Sequence, residues 1–109
     1  MAEFLEVNEQ LPLFAPTVAL HEVFVGAARL RGRDGVEDAR NDLDWVEPLE
    51  LSASGAAEAA LIKAELRESG DKIGAMDTLI AGMVRDTGGT LITRDGHFDR
   101  VQGLDVEEY

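Results

Sequence analysis

Hydrophobic and polar positions along the chain change period several times, and each change marks an element. From Ala2 to about Asn8, Phe4, Leu5 and Asn8 fall on neighbouring turns of a short helix. Leu11-Pro12-Leu13-Phe14-Ala15-Pro16, a brief apolar run among prolines, predicts a short buried strand. Thr17 suits the N-cap of a helix from Val18 to about Arg31, in which Leu20, Val23, Phe24, Ala27 and Leu30 recur at helical spacing. Gly32 to Gly35 reads as a turn and Val36 to Asp44 as a shorter, more polar helix. Trp45 to Leu51 is a weak strand, and Pro48 assigns it to a sheet edge because proline donates nothing to a ladder.

The second half is more sharply punctuated. Ser52 or Ser54 caps an alanine-rich helix that runs to about Ser69 and stops at Gly70. The loop from Gly70 to Gly74 leads into a helix from about Ala75 to Thr87, stopped by Gly88-Gly89. Thr90-Leu91-Ile92-Thr93 is short, β-branched and apolar, the composition of a buried strand. Arg94 to Arg100 forms a polar turn or single helical turn, and Leu104 to Glu107 a last short strand. No repeat, linker or low-complexity segment interrupts the pattern. Strands alternating with helices predict an α/β fold with an open parallel sheet flanked by helices, and a length of 109 residues predicts a single domain.

Composition narrows the chemistry. The absence of cysteine excludes disulfides, thiolate nucleophiles and Cys-based zinc sites. No apolar run has the length of a membrane span, and Met1 to Glu6 lacks the basic flank of a signal peptide, so a cytoplasmic protein is expected. The 22 acids against 10 bases leave a net charge of −12, with Lys63 and Lys72 the only lysines. Such a surface repels itself and nucleic acid at low salt, but in molar salt the Debye length falls to about 3 Å. The acid excess therefore reads as adaptation to a salt-loaded cytoplasm, as in haloarchaea.

Among so many acids, a functional carboxylate must be picked out by its neighbours. Glu22 lies one turn into a strongly apolar helix, with Gly26 one turn later on the same face. A mid-helix glycine costs about 1 kcal/mol against alanine, a cost that close approach of another group would justify. Asp77 opens its helix amid Met76, Leu79 and Ile80; the helix dipole favours an acid there in any case. Asp95 directly follows the strand Thr90–Thr93, at the carboxyl end where ligands of open α/β sheets collect, although Asp95-Gly96 is also a common turn pair. Asp99 stands four residues on. Carboxylates gathered at one sheet end suit Mg2+ or Mn2+, which relieves their repulsion, activates water and clamps a phosphodiester. His21 adjoins Glu22 on a different helix face, and His97 lies in a turn near Asp95 within reach of a substrate; both read as non-catalytic. A positive groove from Arg29, Arg31, Arg33, Arg94 and Arg100 is the expected nucleic-acid contact.

In order, Phe14-Ala15-Pro16-Thr17 with His21 to Gly26, Gly74 to Ala81, Thr90 to Asp95 with Phe98, and Gly103-Leu104-Asp105-Val106 resemble PIN-domain ribonucleases of the VapC toxin type. The resemblance spans nearly the whole chain. It implies that Glu22, Asp77 and Asp95 are catalytic, metal-holding acids, with Asp99 an accessory ligand. It further implies Mg2+- or Mn2+-dependent cleavage of RNA, a VapB-like antitoxin and a homodimer. One departure stands beside the match: the family's first strand, central in its sheet and ending in a metal-binding aspartate, and its first helix have no counterpart here. That departure leads us to expect an N-terminally incomplete PIN domain, from a misplaced start or a truncated toxin. A second expectation follows, an inactive remnant kept as an antitoxin-binding or dimerisation module.

Overall fold

The computed structural model describes residues 14–108, so the helix expected over residues 2–8 and the strand positions 11–13 lie outside the described residues. Strand β1 (Phe14–Pro16) runs directly into helix α1 (Thr17–Asp42). Pro16, at φ −55° and ψ 134°, occupies the N-cap, and no side chain bonds the first amides. Thr17 is thus the first helical residue rather than the cap: the ring-fixed φ of Pro16 already turns the strand into the helix. The expected turn over Gly32–Gly35 is a sharp kink instead. Arg31 (φ −139°) and Gly32 (φ 58°) leave helical geometry, and helix resumes immediately. Only glycine adopts the Gly32 conformation (ψ −140°) without strain. The kink brings the backbone of Ala27 against buried Gly35, where a Cβ would strike the Ala27 carbonyl.

Trp45 closes α1 by donating its indole N–H to the Asp42 carbonyl (2.8 Å), one of the terminal acceptors a helix leaves free. Strand β2 (Glu47–Leu49) pairs in parallel with β1, Pro48 opposite Ala15, and among the described residues it has no other partner, as its proline led us to expect. Helix α2 (Ala53–Ser69) is capped by Ser52, whose Oγ accepts from the Gly55 amide (3.0 Å), and ends at Gly70 in the left-handed region. Helix α3 (Ala75–Thr87) ends the same way at Gly88. Strand β3 (Thr90–Thr93), a 3-10 helix (Gly96–Arg100) and strand β4 (Asp105–Glu108) complete the chain, with β3 and β4 parallel from Thr90↔Asp105 to Thr93↔Glu108.

The fold is therefore α/β with parallel strands. The expected open sheet is present as two separate parallel pairs, β1–β2 and β3–β4, with no ladder between them among the described residues. Helix α3 is the element both pairs share, since it packs on β1, on β3, on α1 and most extensively on α2. Ile62 and Leu66 of α2, Ile80, Ala81 and Val84 of α3, Leu91 of β3, and Phe98 and Val101 around the 3-10 helix form one buried cluster. At its tightest point Gly82 lies against Ala59: a Cβ on Gly82 would stand 2.5 Å from the Ala59 nitrogen and 2.6 Å from its Cα. Arg85 ties the same helix pair at its far end, donating to Glu58 (2.9 Å), Glu65 (3.1 Å) and the Gln102 carbonyl (3.0 Å). Its hydrogen bond to Glu65 outweighs the opposing cost of burial, and its pKa is held above the ordinary value.

Candidate metal centre

Three local structures converge where β3 ends. The N-terminus of α3 supplies Asp77 in its first turn, and the helix's cap, Gly74, has no side chain to satisfy the first amides. An acid there is favoured by the unpaired amides and the positive end of the helix dipole. At the carboxyl end of β3 the Asp95 amide donates to Thr93 Oγ1 (3.1 Å), and Asp95 Oδ1 accepts from the His97 amide (3.2 Å), capping the 3-10 helix. Phe98 in that helix is buried in the core, so its neighbour His97 is held with little freedom. The ring of His97 then stands between the two acids: Nε2 lies 2.9 Å from Asp77 Oδ2 and Nδ1 2.6 Å from Asp95 Oδ1.

The arrangement is half open to solvent, with side-chain exposures of 27% for Asp77, 32% for His97 and 46% for Asp95. Two carboxylates at one point repel unless a cation or donor lies between them. An imidazole protonated on both nitrogens donates to both acids at once and meets that need. A metal ion meets it too. One ligand atom from each of Asp77, Asp95 and His97 falls within 4.8 Å of the others, and oxygen and imidazole donors so close together fit a divalent cation.

Of the four acids singled out in the sequence, Asp77 and Asp95 are brought together and two are not. Glu22 is exposed on α1, and Asp99 is exposed in the 3-10 helix; neither joins the cluster. Helix α1 does pack against α3, which puts Glu22 and Asp77 on neighbouring elements. The close approach expected at Gly26 is not found among the described residues: nothing lies within 4 Å of a Cβ built there. His97, read from the sequence as non-catalytic and near Asp95, lies between the two acids. Its signal was the Asp-Gly-His-Phe order, in which a capping Asp95 and an anchored Phe98 fold the intervening histidine back. In the expected positive groove, Arg31 pairs with Asp38, and Arg100 donates to the Lys72 carbonyl (3.1 Å), tying the 3-10 helix to the loop before α3.

Comparison with known proteins identifies the family and the fold. Residues 2–104 match the family model of the PIN domain. A stretch of 65 residues is 34% identical to the tRNA(fMet)-specific endonuclease VapC of Shigella flexneri, covering 59% of this chain and 49% of that protein. The match thus spans about half the length of this curated relative. The fold is similar to VapBC2 from Rickettsia felis bound to a DNA fragment from their promoter, with a TM-score of 0.89 and 23% identity over 99% of this chain and 84% of that one. It is also similar to DNA-bound VapBC from Salmonella typhimurium, with a TM-score of 0.88 and 24% identity over 98% of this chain and 82% of that one.

Proposed function

Because the chain belongs to the PIN-domain family, we propose that it is a Mg2+- or Mn2+-dependent endoribonuclease, the toxin of a VapBC-type toxin–antitoxin system. The observation that carries this reading is the meeting of Asp77 and Asp95 at the carboxyl end of β3, with ligand atoms close enough to share one ion. When bound, the ion supplies charge for the phosphodiester oxygens and a more acidic water. The protein's own part is positional. Asp77 is held by the first turn of α3 and Asp95 by its bonds to Thr93 and the His97 amide, so neither has to be ordered when substrate arrives. Glu22, on the neighbouring helix, and Asp99, four residues beyond Asp95, stand outside the cluster and are proposed as the further acids of the loaded site, Asp99 as an accessory. The partners proposed are an RNA substrate, a VapB-like antitoxin and a second copy of the chain, in the cytoplasm. No helix among the described residues is long and apolar enough to cross a membrane.

The division of the sheet into β1–β2 and β3–β4, both resting on α3, supports placing a further strand between β1 and β3. An acid at the end of such a strand would stand between the ends of β1 and β3, beside Asp95. Among the described residues two carboxylates converge, Asp77 and Asp95, and this supports a second reading: a PIN domain that binds antitoxin or dimerises but does not cleave. Incubating the purified chain with total RNA in molar KCl, with Mn2+ or with EDTA, separates the two. Cleavage that needs metal and is lost in Asp77→Asn is the expected result. A folded chain that cleaves nothing, while an N-terminally extended version does, would assign this form to the binding role.

A further inference from the structure

We infer that His97 is a protein ligand of the metal centre, so that the site takes a first-row transition ion such as Mn2+ or Co2+ in preference to Mg2+. The inference rests on the divalent-metal reading above and refines it. Its basis is the position of the imidazole. Both ring nitrogens face carboxylate oxygens, at 2.9 Å toward Asp77 and 2.6 Å toward Asp95, and one ring nitrogen with one oxygen of each acid lies within 4.8 Å of the others, a spacing that a single divalent ion bridges through one of the two nitrogens. The ring is also held in place. The His97 amide is bonded to Asp95, Phe98 is sunk in the core, and the His97 ring lies 5.3 Å from the Phe98 ring. A merely solvent-facing histidine would have no such anchor. An all-oxygen set suits Mg2+, which dehydrates reluctantly and seeks hard donors. Replacing one oxygen by an imidazole nitrogen shifts affinity toward ions later in the Irving–Williams order.

The test uses the untagged chain in molar KCl and reads metal binding, not cleavage. Mn2+ is titrated and its free form followed by electron paramagnetic resonance; nitrogen coupling to the bound ion is read by the pulsed method, and Mg2+ is added as competitor. The chain has only two histidines, so His21→Gln and His97→Gln assign any imidazole coupling. Nitrogen coupling should be present in the wild type and in His21→Gln and vanish in His97→Gln. Mn2+ affinity should fall roughly tenfold in His97→Gln while Mg2+ affinity changes little. A bound Mn2+ without nitrogen coupling in the wild type, or coupling that survives His97→Gln, overturns the inference. If Asp77→Asn weakens Mn2+ binding and His97→Gln does not, the carboxylate site stands and the histidine ligand falls. If the wild type binds no Mn2+, both fall. Should His97→Gln fail to fold by circular dichroism, the His21→Gln spectrum decides alone, since His97 is then the one histidine left.

Discussion

Helices α1 and α3 begin alike and end in different circumstances. Each carries a candidate metal-binding acid near its start, Glu22 and Asp77, and a glycine further along, Gly26 and Gly82. In α3, Thr78, Ile80, Ala81, Gly82, Met83 and Val84 are buried, whereas in α1 only Gly35 is. Leu30 remains 86% exposed and Val23 49%, although both recur at the spacing of a buried face. The difference lies in what stands opposite. Helix α3 is enclosed by α2, β1 and β3, while among the described residues α1 packs chiefly on α3 and β1. Periodicity reports that a helix has an apolar side; it does not report whether anything covers that side.

The largest expected contrast is between the two acids. Asp77→Asn should lower metal-dependent RNA cleavage by roughly a hundredfold or more and weaken Mn2+ binding by at least about tenfold. Glu22→Gln, whose side chain stands outside the cluster, should weaken Mn2+ binding by less; equal losses by titration would place both acids at the ion and break the contrast. The two glycines come next. Gly82→Ala must displace the backbone of Ala59 and should destabilise by about 2 kcal/mol or more, a fall of roughly 8 °C or more in Tm by calorimetry. An unchanged Tm would show that α2 and α3 separate freely there.

Arg85→Met probes the same helix pair with a smaller effect. The arginine side chain is only 14% exposed, but its partners Glu58 and Glu65 are 33% and 43% exposed and regain water when it is lost. The expected cost in urea unfolding is about 1–2 kcal/mol, less than for a fully buried pair. Smallest and opposite in sign is Gly26→Ala. A Cβ meets nothing there, so the gain in helix propensity should raise stability by about 0.5–1 kcal/mol. A loss instead would mean that a partner does approach α1 at that position.

Much of the local structure was legible from neighbouring residues alone. The bounds Ala75–Thr87 and Thr90–Thr93 and the stops at Gly70 and Gly88 follow from the sequence, and the cap falls to Ser52, one of the two serines it offers, because each signal and its effect lie within one turn of the chain. Where the reading failed, the deciding group was elsewhere or was a backbone angle. Thr17 yielded its cap to the φ of Pro16, and the Gly32–Gly35 turn contracted to a kink that only the positive φ of Gly32 permits.

The candidate site divides along the same line. By itself the sequence determined that Asp77 opens a helix and that Asp95 follows a strand, positions where the peptide dipoles and the sheet end favour a bound charge. Only the tertiary structure decided that His97, 20 positions beyond Asp77, closes the gap between them, and that Gly82 rather than Gly26 is the point of closest helix approach. The reason is physical. Caps, turns and propensities act through bonds between near neighbours, whereas a site or a helix crossing exists only once packing of α3 against α2 and β3 has brought distant residues within a few ångströms.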